Sequence, residues 1–346
     1  MAMRRDASEK VTSLQVAKRA GVSQSAVSRV FTPGASASPA TAEKVRNAAR
    51  ELGYRPNVLA RAMVSGRSQI IGLVVAYLDN YFYPEALEKL SNALQARGYH
   101  VLVFMARQTA ECIDEVVEEI LDYQVDGIIA ASVALSSQLS DRCHEAGVPV
   151  VLFNRTDGAE GVSSVASDNF EGGRLAGEFL IAGGHQRIAY IAGWEKASTQ
   201  VGREAGLRAA LGAHGLALHG RGVGNFRMEE AKAATRALFE GPGPGPDAIF
   251  VANDHMAFAA LDVVRGELGL RVPEDVSVIG FDDVPPAAWA AYDLTTLRQR
   301  ANRMVEQTVD IMLEQIDTPG AQPRNVALDT PLVIRGSARI PKGWTS

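Results

Sequence analysis

The chain has 346 residues, 47% of them apolar and 22% charged, an ordinary globular balance that excludes a mostly disordered protein. No apolar run reaches the ~18 residues of a membrane helix, and no apolar segment follows Met1-Ala2-Met3-Arg4-Arg5-Asp6, so neither a membrane protein nor a secretory signal is expected. Two well-separated cysteines, Cys112 and Cys143, fit a reducing cytoplasm better than a disulfide scaffold.

Charge divides unevenly along the chain. Residues 1–67 hold 12 Lys and Arg against 4 acids, a net of +8, and the remaining 279 residues hold 23 basic and 36 acidic residues, a net of −13. A basic head on an acidic body suggests that the head meets a polyanion. The alternative is a merely solvated head.

Within the head, Thr12-Ser13-Leu14-Gln15 has the pattern of a capping box, with Thr12 as N-cap and Gln15 three residues on. Apolar positions at Val16, Ala17 and Ala20 continue a helix, and Gly21 supplies a tight turn. Ser23 caps a second helix whose inward face is Val27 and Val30. Its other face carries Gln24, Ser25, Ser28 and Arg29. Two short helices around a Gly-containing turn read as a helix-turn-helix, and Gln, Ser and Arg are residue types that read base edges. A generic helical hairpin is the bland alternative. A small-residue loop follows from Phe31 to Ala37. Ser38-Pro39 then starts a third helix with a Val45, Ala48, Ala49, Leu52 stripe, and Gly53 ends it. Tyr54-Arg55-Pro56-Asn57 leads into Val58–Met63, a piece too short to be a stable helix alone.

Val16 to Ser23, Val27-Ser28-Arg29-Val30, Leu52 to Asn57 and Leu59-Ala60-Arg61 resemble the head of the lactose/galactose repressor family, without gaps through residue 64. The resemblance implies an all-α helix-turn-helix headpiece over 1–55 and a hinge helix and linker over 56–67. Such hinges fold when a dimer sits on its operator and wedge apolar side chains into the minor groove. It places specificity on Gln24 and Ser25 with Arg29 as a further base contact. Thr12, Ser23 and Asn57 fall near phosphates, and Ser28 and Arg61 complete the DNA-facing set. The wedge falls on Met63, where the family usually has Leu. Thr32 and Ala37 also depart from the family pattern.

From Ser68 onward, short apolar runs alternate with segments of helix length. The runs are Ile70–Ala76, Val101–Met105, Gly127–Ala131, Val148–Phe153, Ile188–Ala192, Ala248–Ala252, Val276–Gly280 and Leu332–Ile334. Between them lie segments such as Glu85–Arg97, Glu111–Tyr123, Gly173–Ile181, Arg203–His214, Met228–Phe239 and Met256–Leu268. This alternation predicts parallel α/β sheets. Eight strands exceed one comfortable core, so two doubly wound lobes are expected, with a ligand beyond the carboxyl ends of the strands.

The body extends the resemblance through Ser167-Asp168-Asn169, Gly184-His185, Ala252-Asn253-Asp254, Ser277 to Asp283 and Leu294 to Gln299. It implies an effector and dimerisation domain over 68–346, related to periplasmic sugar-binding proteins. Lobe 1 would take about 68–166 and 297–326, and lobe 2 about 167–296 and 327–346. Family effector contacts fall on Asp79, Tyr81, Phe82, Asn154, Arg203, Phe226, Asn253, Asp282 and Gln299. Asp, Asn and Arg would grip sugar hydroxyls and an aromatic would cover a C–H face. Each has a structural alternative: Asn253 and Asp282 as helix caps, Phe226 as core, Tyr81 and Phe82 as lobe packing.

No Walker sequence, His-Glu-x-x-His, Gly-x-Ser-x-Gly or paired Cys-x-x-Cys occurs, so no catalytic set, metal or cofactor is expected. Gly220 to Gly224 lacks a leading strand and is a weak nucleotide signal, and Gly241 to Pro246 reads as an exposed loop. His185 and His214 stand alone. The C-terminal leucine heptads that make the lactose repressor a tetramer are not found, so a homodimer is expected. The combined expectation is a cytoplasmic transcription regulator, read as a repressor, that binds near-palindromic double-stranded operator DNA. A sugar or sugar-derived effector would control it. The alternatives are an activator of the same fold and a cytoplasmic sugar-binding protein without a DNA role; the latter has no use for residues 1–64.

Overall fold

The computed structural model describes residues 11–31, 35–55, 67–106, 110–133, 136–156 and 161–344, and the chain divides into a head, Met1–Gln69, and a body, Ile70–Ser346.

The head is three helices: α1 (Ser13–Ala20), α2 (Gln24–Phe31) and α3 (Pro39–Leu52). Each boundary has a local cause. The Thr12 backbone N–H donates to Gln15 Oε1 at 2.9 Å while Thr12 Oγ1 accepts the Gln15 N–H, which completes the capping box. Gly21 ends α1 at φ 68°, a left-handed conformation that a β-carbon disfavours. Ser23 Oγ accepts the Ala26 N–H at 3.2 Å, and Ser38 Oγ accepts the Thr41 N–H at 3.2 Å. Val16, Val27 and Val45 are buried together, with Ala17, Ala48 and Ala49 letting the helices approach. The Arg19–Glu51 ion pair at 2.6 Å is exposed and contributes less than about 1 kcal/mol. Apolar burial therefore sets the head's stability.

The body holds two six-stranded sheets. The first has the order β11 (Asn325–Leu328), β5 (Ser163–Ser167), β4 (Val150–Phe153), β3 (Gly127–Ala131), β1 (Ile70–Val75), β2 (His100–Met105), all parallel. The second has the order β12 (Leu332–Val333), β10 (Thr295–Arg298), β9 (Ser277–Asp282), β8 (Ala248–Val251), β6 (Ile188–Ala192), β7 (Gly220–Val223). Only β12 runs antiparallel, with Thr296 opposite Val333. The helices are α4 (Phe82–Ala96), α5 (Ala110–Asp122), α6 (Ser137–Glu145), α7 (Asn169–Ala182), α8 (Ser198–Ala213), α9 (Met228–Phe239), α10 (Asp254–Leu261) and α11 (Ala301–Asp317). The chain passes between the sheets after Ser167, after Arg298 and after Leu328. The last two passages lie one or two residues later than the expected lobe bounds, because ladder hydrogen bonding carries β10 to Arg298 and β11 to Leu328.

Strands buried on both faces read as continuous apolar runs, and Ile71, Leu73, Ile129 and Phe153 in one sheet and Tyr190, Phe250 and Phe281 in the other are fully buried. Four strands carry no such run. Ser163-Ser164-Val165-Ala166-Ser167 and Thr295-Thr296-Leu297-Arg298 bury hydroxyls against specific partners: Gln315 Nε2 donates to Ser163 Oγ at 2.8 Å. Asn325–Leu328 is an edge strand. Gly220–Val223, set aside above for want of a leading strand, is itself β7; a β-carbon on Gly222 would meet Ala234 at 2.8 Å, so the glycines let α9 lie close on this edge. The helix expected over Met256–Leu268 starts at Asp254 and turns π-helical over Asp262–Glu267.

Candidate functional site

The carboxyl ends of both sheets converge on one small cavity. Its lining comes from the loop after β1 and the start of α4 (Tyr77, Asn80, Phe82, Tyr83), from the end of β4 (Asn154, Arg155), from α8 (Thr199, Arg203) and from the loops after β7, β8 and β9 (Phe226, Asn253, Asp282). The void measures about 10 Å³, room for a single water and no more.

Backbone strain marks the same place. Asn154 has φ 58°, Phe226 φ 60° and Asp282 φ 131°, all in the region that side chains disfavour. Each stands where a strand ends and the chain must turn to aim a side chain into the cavity.

Arg203 is the central cation. Its Nε donates to Asn169 Oδ1 at 2.9 Å, Nη1 donates to the Ala252 carbonyl, and Nη2 stands 3.8 Å from Asp282 Oδ1. The guanidinium lies 3.5 Å over the Phe281 ring. Burial lowers its pKa from the ordinary value, and Asp282 pulls it back up. Asp282 is fixed from the other side by Gln299, whose Nε2 donates to Asp282 Oδ1 at 2.7 Å while its Oε1 accepts from Ser167 Oγ at 2.8 Å. Burial raises the Asp282 carboxyl, and Arg203 and the Gln299 hydrogen bond oppose that rise. Behind it, Asp254 accepts from the Val284 N–H at 3.0 Å and from the Thr296 hydroxyl. A β-carbon on Gly280 would reach 2.2 Å from Asp254 Oδ1, so glycine is required for that carboxyl to reach β9.

Phe226 lies on Gly193, whose absent β-carbon would meet the ring at 2.1 Å, and it stacks on Tyr77 with centroids 6.3 Å apart. Burial holds the Tyr77 phenol far above its usual range, so it stays a neutral hydrogen-bonding group, with Ser132 as partner. Asn253 does two things: its Oδ1 accepts the Met256 N–H at 3.0 Å, capping α10, and it borders the cavity. Asn154 Nδ2 donates to the Tyr83 hydroxyl at 3.1 Å.

Six of the nine body residues singled out in the sequence thus line the cavity: Phe82, Asn154, Arg203, Phe226, Asn253 and Asp282. The other three do not. Asp79 is exposed and acts on buried His255 through charge. Tyr81 is 48% exposed and packs edge-on against Trp289 of the second lobe. Gln299 is buried behind Asp282. Sequence reasoning passed over Tyr77, Asn80, Tyr83, Arg155 and Thr199. The position of Arg155, one residue past a strand end, was the available signal.

In the head, Gln24, Ser25, Ser28 and Arg29 form one exposed face of α2. Internal hydrogen bonds order them: Gln24 Nε2 donates to Ser13 Oγ at 2.9 Å, Ser23 and Ser25 share a hydrogen bond at 2.9 Å, and Arg29 Nε donates to the Ser25 carbonyl at 3.4 Å. The hydroxyls of Thr12 and Ser23 stand at the starts of α1 and α2, where backbone N–H groups favour an anion. Thr32, Asn57, Arg61 and Met63 lie outside the described residues. Among the described residues no His/Cys/Asp/Glu cluster is arranged to hold a metal, and no helix is long and apolar enough to cross a membrane. His185 is buried, with burial lowering its pKa, and its Nδ1 stands 3.4 Å from Asp247; His214 pairs with Glu178.

Known proteins share this arrangement. Residues 14–57 match the model of bacterial regulatory proteins, lacI family, and residues 178–338 match a periplasmic binding protein-like domain. The HTH-type transcriptional regulator CelR of Thermobifida fusca is 36% identical over 331 residues, 93% of this chain and 96% of that protein. The ribose operon repressor of Escherichia coli K12 is 32% identical over 334 residues, 94% of this chain and 99% of that one. A solved lac repressor dimer bound to operator and the anti-inducer ONPF superposes with a TM-score of 0.85 at 29% identity, covering 95% of this chain and 99% of that chain. A solved CelR–cellobiose complex gives a TM-score of 0.71 at 34% identity, covering 95% and 100%. With a helix-turn-helix head, a two-lobed body and full-length relatives of this similarity, the chain belongs to the lacI family of bacterial regulatory proteins, DNA-binding transcriptional regulators under the control of a small ligand.

Proposed function

We propose that the chain is a cytoplasmic, homodimeric repressor, without enzymatic activity, whose operator affinity is set by a sugar or sugar-derived effector in the body's cavity. One observation carries the reading: a cation, a carboxylate, two amides and an aromatic ring converge where the carboxyl ends of both sheets meet. That set suits a polyhydroxylated ligand, with bidentate partners for hydroxyls and Phe226 for a C–H face. The relatives agree in kind: CelR was solved with cellobiose, and another relative represses a ribose operon.

A cavity of about 10 Å³ cannot hold a sugar unless the residues from the two sheets part. Effector binding therefore has to favour a different lobe arrangement, which is the condition for linkage to a second ligand. In this reading 1–55 forms the head, 56–67 the hinge and linker, and 68–346 the body. Gln24, Ser25 and Arg29, with Ser28 beside them, read base edges, and Thr12, Ser23, Asn57 and Arg61 hold the backbone. Met63 wedges the central step of a near-palindromic operator, one half-site per head. Asp79, Tyr81 and Gln299 support the effector site from its rim and rear.

The test has two stages. Thermal unfolding against sugars, sugar acids, sugar phosphates, polyols and nucleobases identifies the effector, because a ligand at 100 times its Kd stabilises by about 2.7 kcal/mol. Fluorescence anisotropy on operator DNA with and without that compound then measures coupling. A compound that stabilises the body yet leaves operator affinity unchanged refutes the reading.

A further inference from the structure

Arg155 is an unusual group for the interior. It is 3% exposed, and among the described residues no carboxylate oxygen lies within 4 Å of it. Its partners are neutral: Nη1 donates to the Thr199 hydroxyl at 2.7 Å and to the Asn154 carbonyl at 3.2 Å, and Nη2 donates to the Ser132 hydroxyl at 3.2 Å. Its guanidinium stands 5.9 Å from the centre of the Phe226 ring. Its Nε is buried and has no hydrogen-bond partner. Beside it, Asn154 Oδ1 is likewise buried and unpartnered. One donor and one acceptor, both unfilled, thus border the same cavity.

Charge reinforces the point. Arg155 and Arg203 both line the cavity, but Asp282 is the only acid that lines it among the described residues, and it stands in ion-pair range of Arg203. A neutral sugar satisfies amides and one Arg–Asp pair. It offers nothing that offsets the cost of burying a second cation. A planar guanidinium with a free Nε–H suits a carboxylate or phosphate oxygen.

We propose that Arg155 is the receptor for an anionic group on the effector, so that the ligand is a sugar acid or a sugar phosphate and not a neutral sugar. This rests on the cavity being the effector site. Asn154 Oδ1 then accepts from a neighbouring ligand hydroxyl. Arg203 and Asp282 hold the hydroxyls farther along, and the partners Arg155 now has, Thr199 and Ser132, are exchanged for the ligand's oxygens.

The experiment uses the full chain and two variants, Arg155→Met and Arg155→Lys. Calorimetry compares matched sets: glucose, gluconate and glucose 6-phosphate; galactose, galacturonate and galactose 1-phosphate; ribose, ribonate and ribose 5-phosphate. The expected result is one anionic member bound about 10- to 100-fold more tightly than its neutral parent. That preference is lost in Arg155→Met and weakened in Arg155→Lys. Acid and phosphate members of a set distinguish the two sources of charge. A neutral parent that binds as tightly as its acid and phosphate overturns the proposal, as does an anion preference that survives Arg155→Met.

If no compound binds, the sugar reading above fails and melting of the unliganded chain decides this proposal separately. A cation held for a ligand is costly to the empty protein, so Arg155→Met leaves Tm unchanged or raised. A clear fall in Tm, reversed in Arg155→Lys, makes Arg155 a structural clasp between the lobes and refutes its role as a receptor.

Discussion

The β-carbon that Gly173 lacks would stand 2.0 Å from the carbonyl oxygen of Arg203. Gly173 on α7 is thus the seat on which the backbone of the central cation rests. The contact repeats along the helix pair: a β-carbon on Gly206 would meet the Phe170 carbonyl oxygen at 1.9 Å, and one on Gly177 would meet Ala210 Cβ at 2.7 Å. The closeness of α7 and α8 sets how far Arg203 reaches toward Asp282.

Gly173→Ala is accordingly expected to push α8 outward. Overpacking of this kind costs about 1–3 kcal/mol of stability. Because Arg203 moves with its helix, ligand affinity falls as well. Urea unfolding together with calorimetry checks both. A variant that loses stability but binds its effector as before would show that Arg203 is not positioned by this contact.

Arg29 lies on the exposed face of α2 and is held by the Ser25 carbonyl at 3.4 Å. Arg29→Ala should weaken operator binding by about 1–3 kcal/mol while leaving binding to unrelated duplexes nearly unchanged. Equal losses on both DNAs would reassign Arg29 to the phosphate backbone. Anisotropy at one fixed salt concentration decides between the two, since phosphate contacts are strongly salt-dependent.

Asp254 gives a pH signature. Burial first, and the charge of Asp282 second, raise its carboxyl above the ordinary 3.8, against the hydrogen bonds from Thr296 and Val284. The folded chain therefore keeps a proton that the unfolded chain has released. The stability from that protonated acid is complete below the ordinary value and is lost as pH climbs through the raised one. Asp254→Asn, which keeps a carbonyl oxygen for the Val284 N–H, should flatten the decline in the urea midpoint between acid and neutral pH. Parallel curves for the variant and the natural chain would contradict this.

Phe226 is buried against Gly193 and stacked on Tyr77. Phe226→Leu keeps an apolar side chain but removes the flat face. Effector affinity is expected to drop several-fold with a Tm change of only a few degrees. If affinity holds and Tm falls sharply, Phe226 is core and not ligand platform.

The head was legible because its boundaries are local. Thr12 with Gln15, Gly21, Ser23, Ser38-Pro39 and Gly53 fix three helices through caps and turns that neighbouring residues make themselves. The body was legible where strands are buried on both faces, as in Ile188–Ala192. Ser163–Ser167 and Thr295–Arg298 were not, because their buried hydroxyls are satisfied by residues far away in sequence: Gln315 for Ser163, Asp254 for Thr296. The cavity followed the same rule. Asn154, Arg203 and Asp282 could be placed from strand ends and a family pattern. Tyr77 and Thr199 enter only because two sheets meet, and Tyr81, next to Phe82 in sequence, is turned away toward Trp289.

The most direct test of the account is operator affinity measured with and without the compound that stabilises the body. Cavity and head belong to one linked system if that compound changes operator Kd by about 5- to 150-fold, and operator DNA must then change the compound's own affinity by the same factor. Arg203→Met should abolish both effects together. An operator Kd that stays constant while the cavity fills would contradict the account and leave the head and the body as independent binding modules.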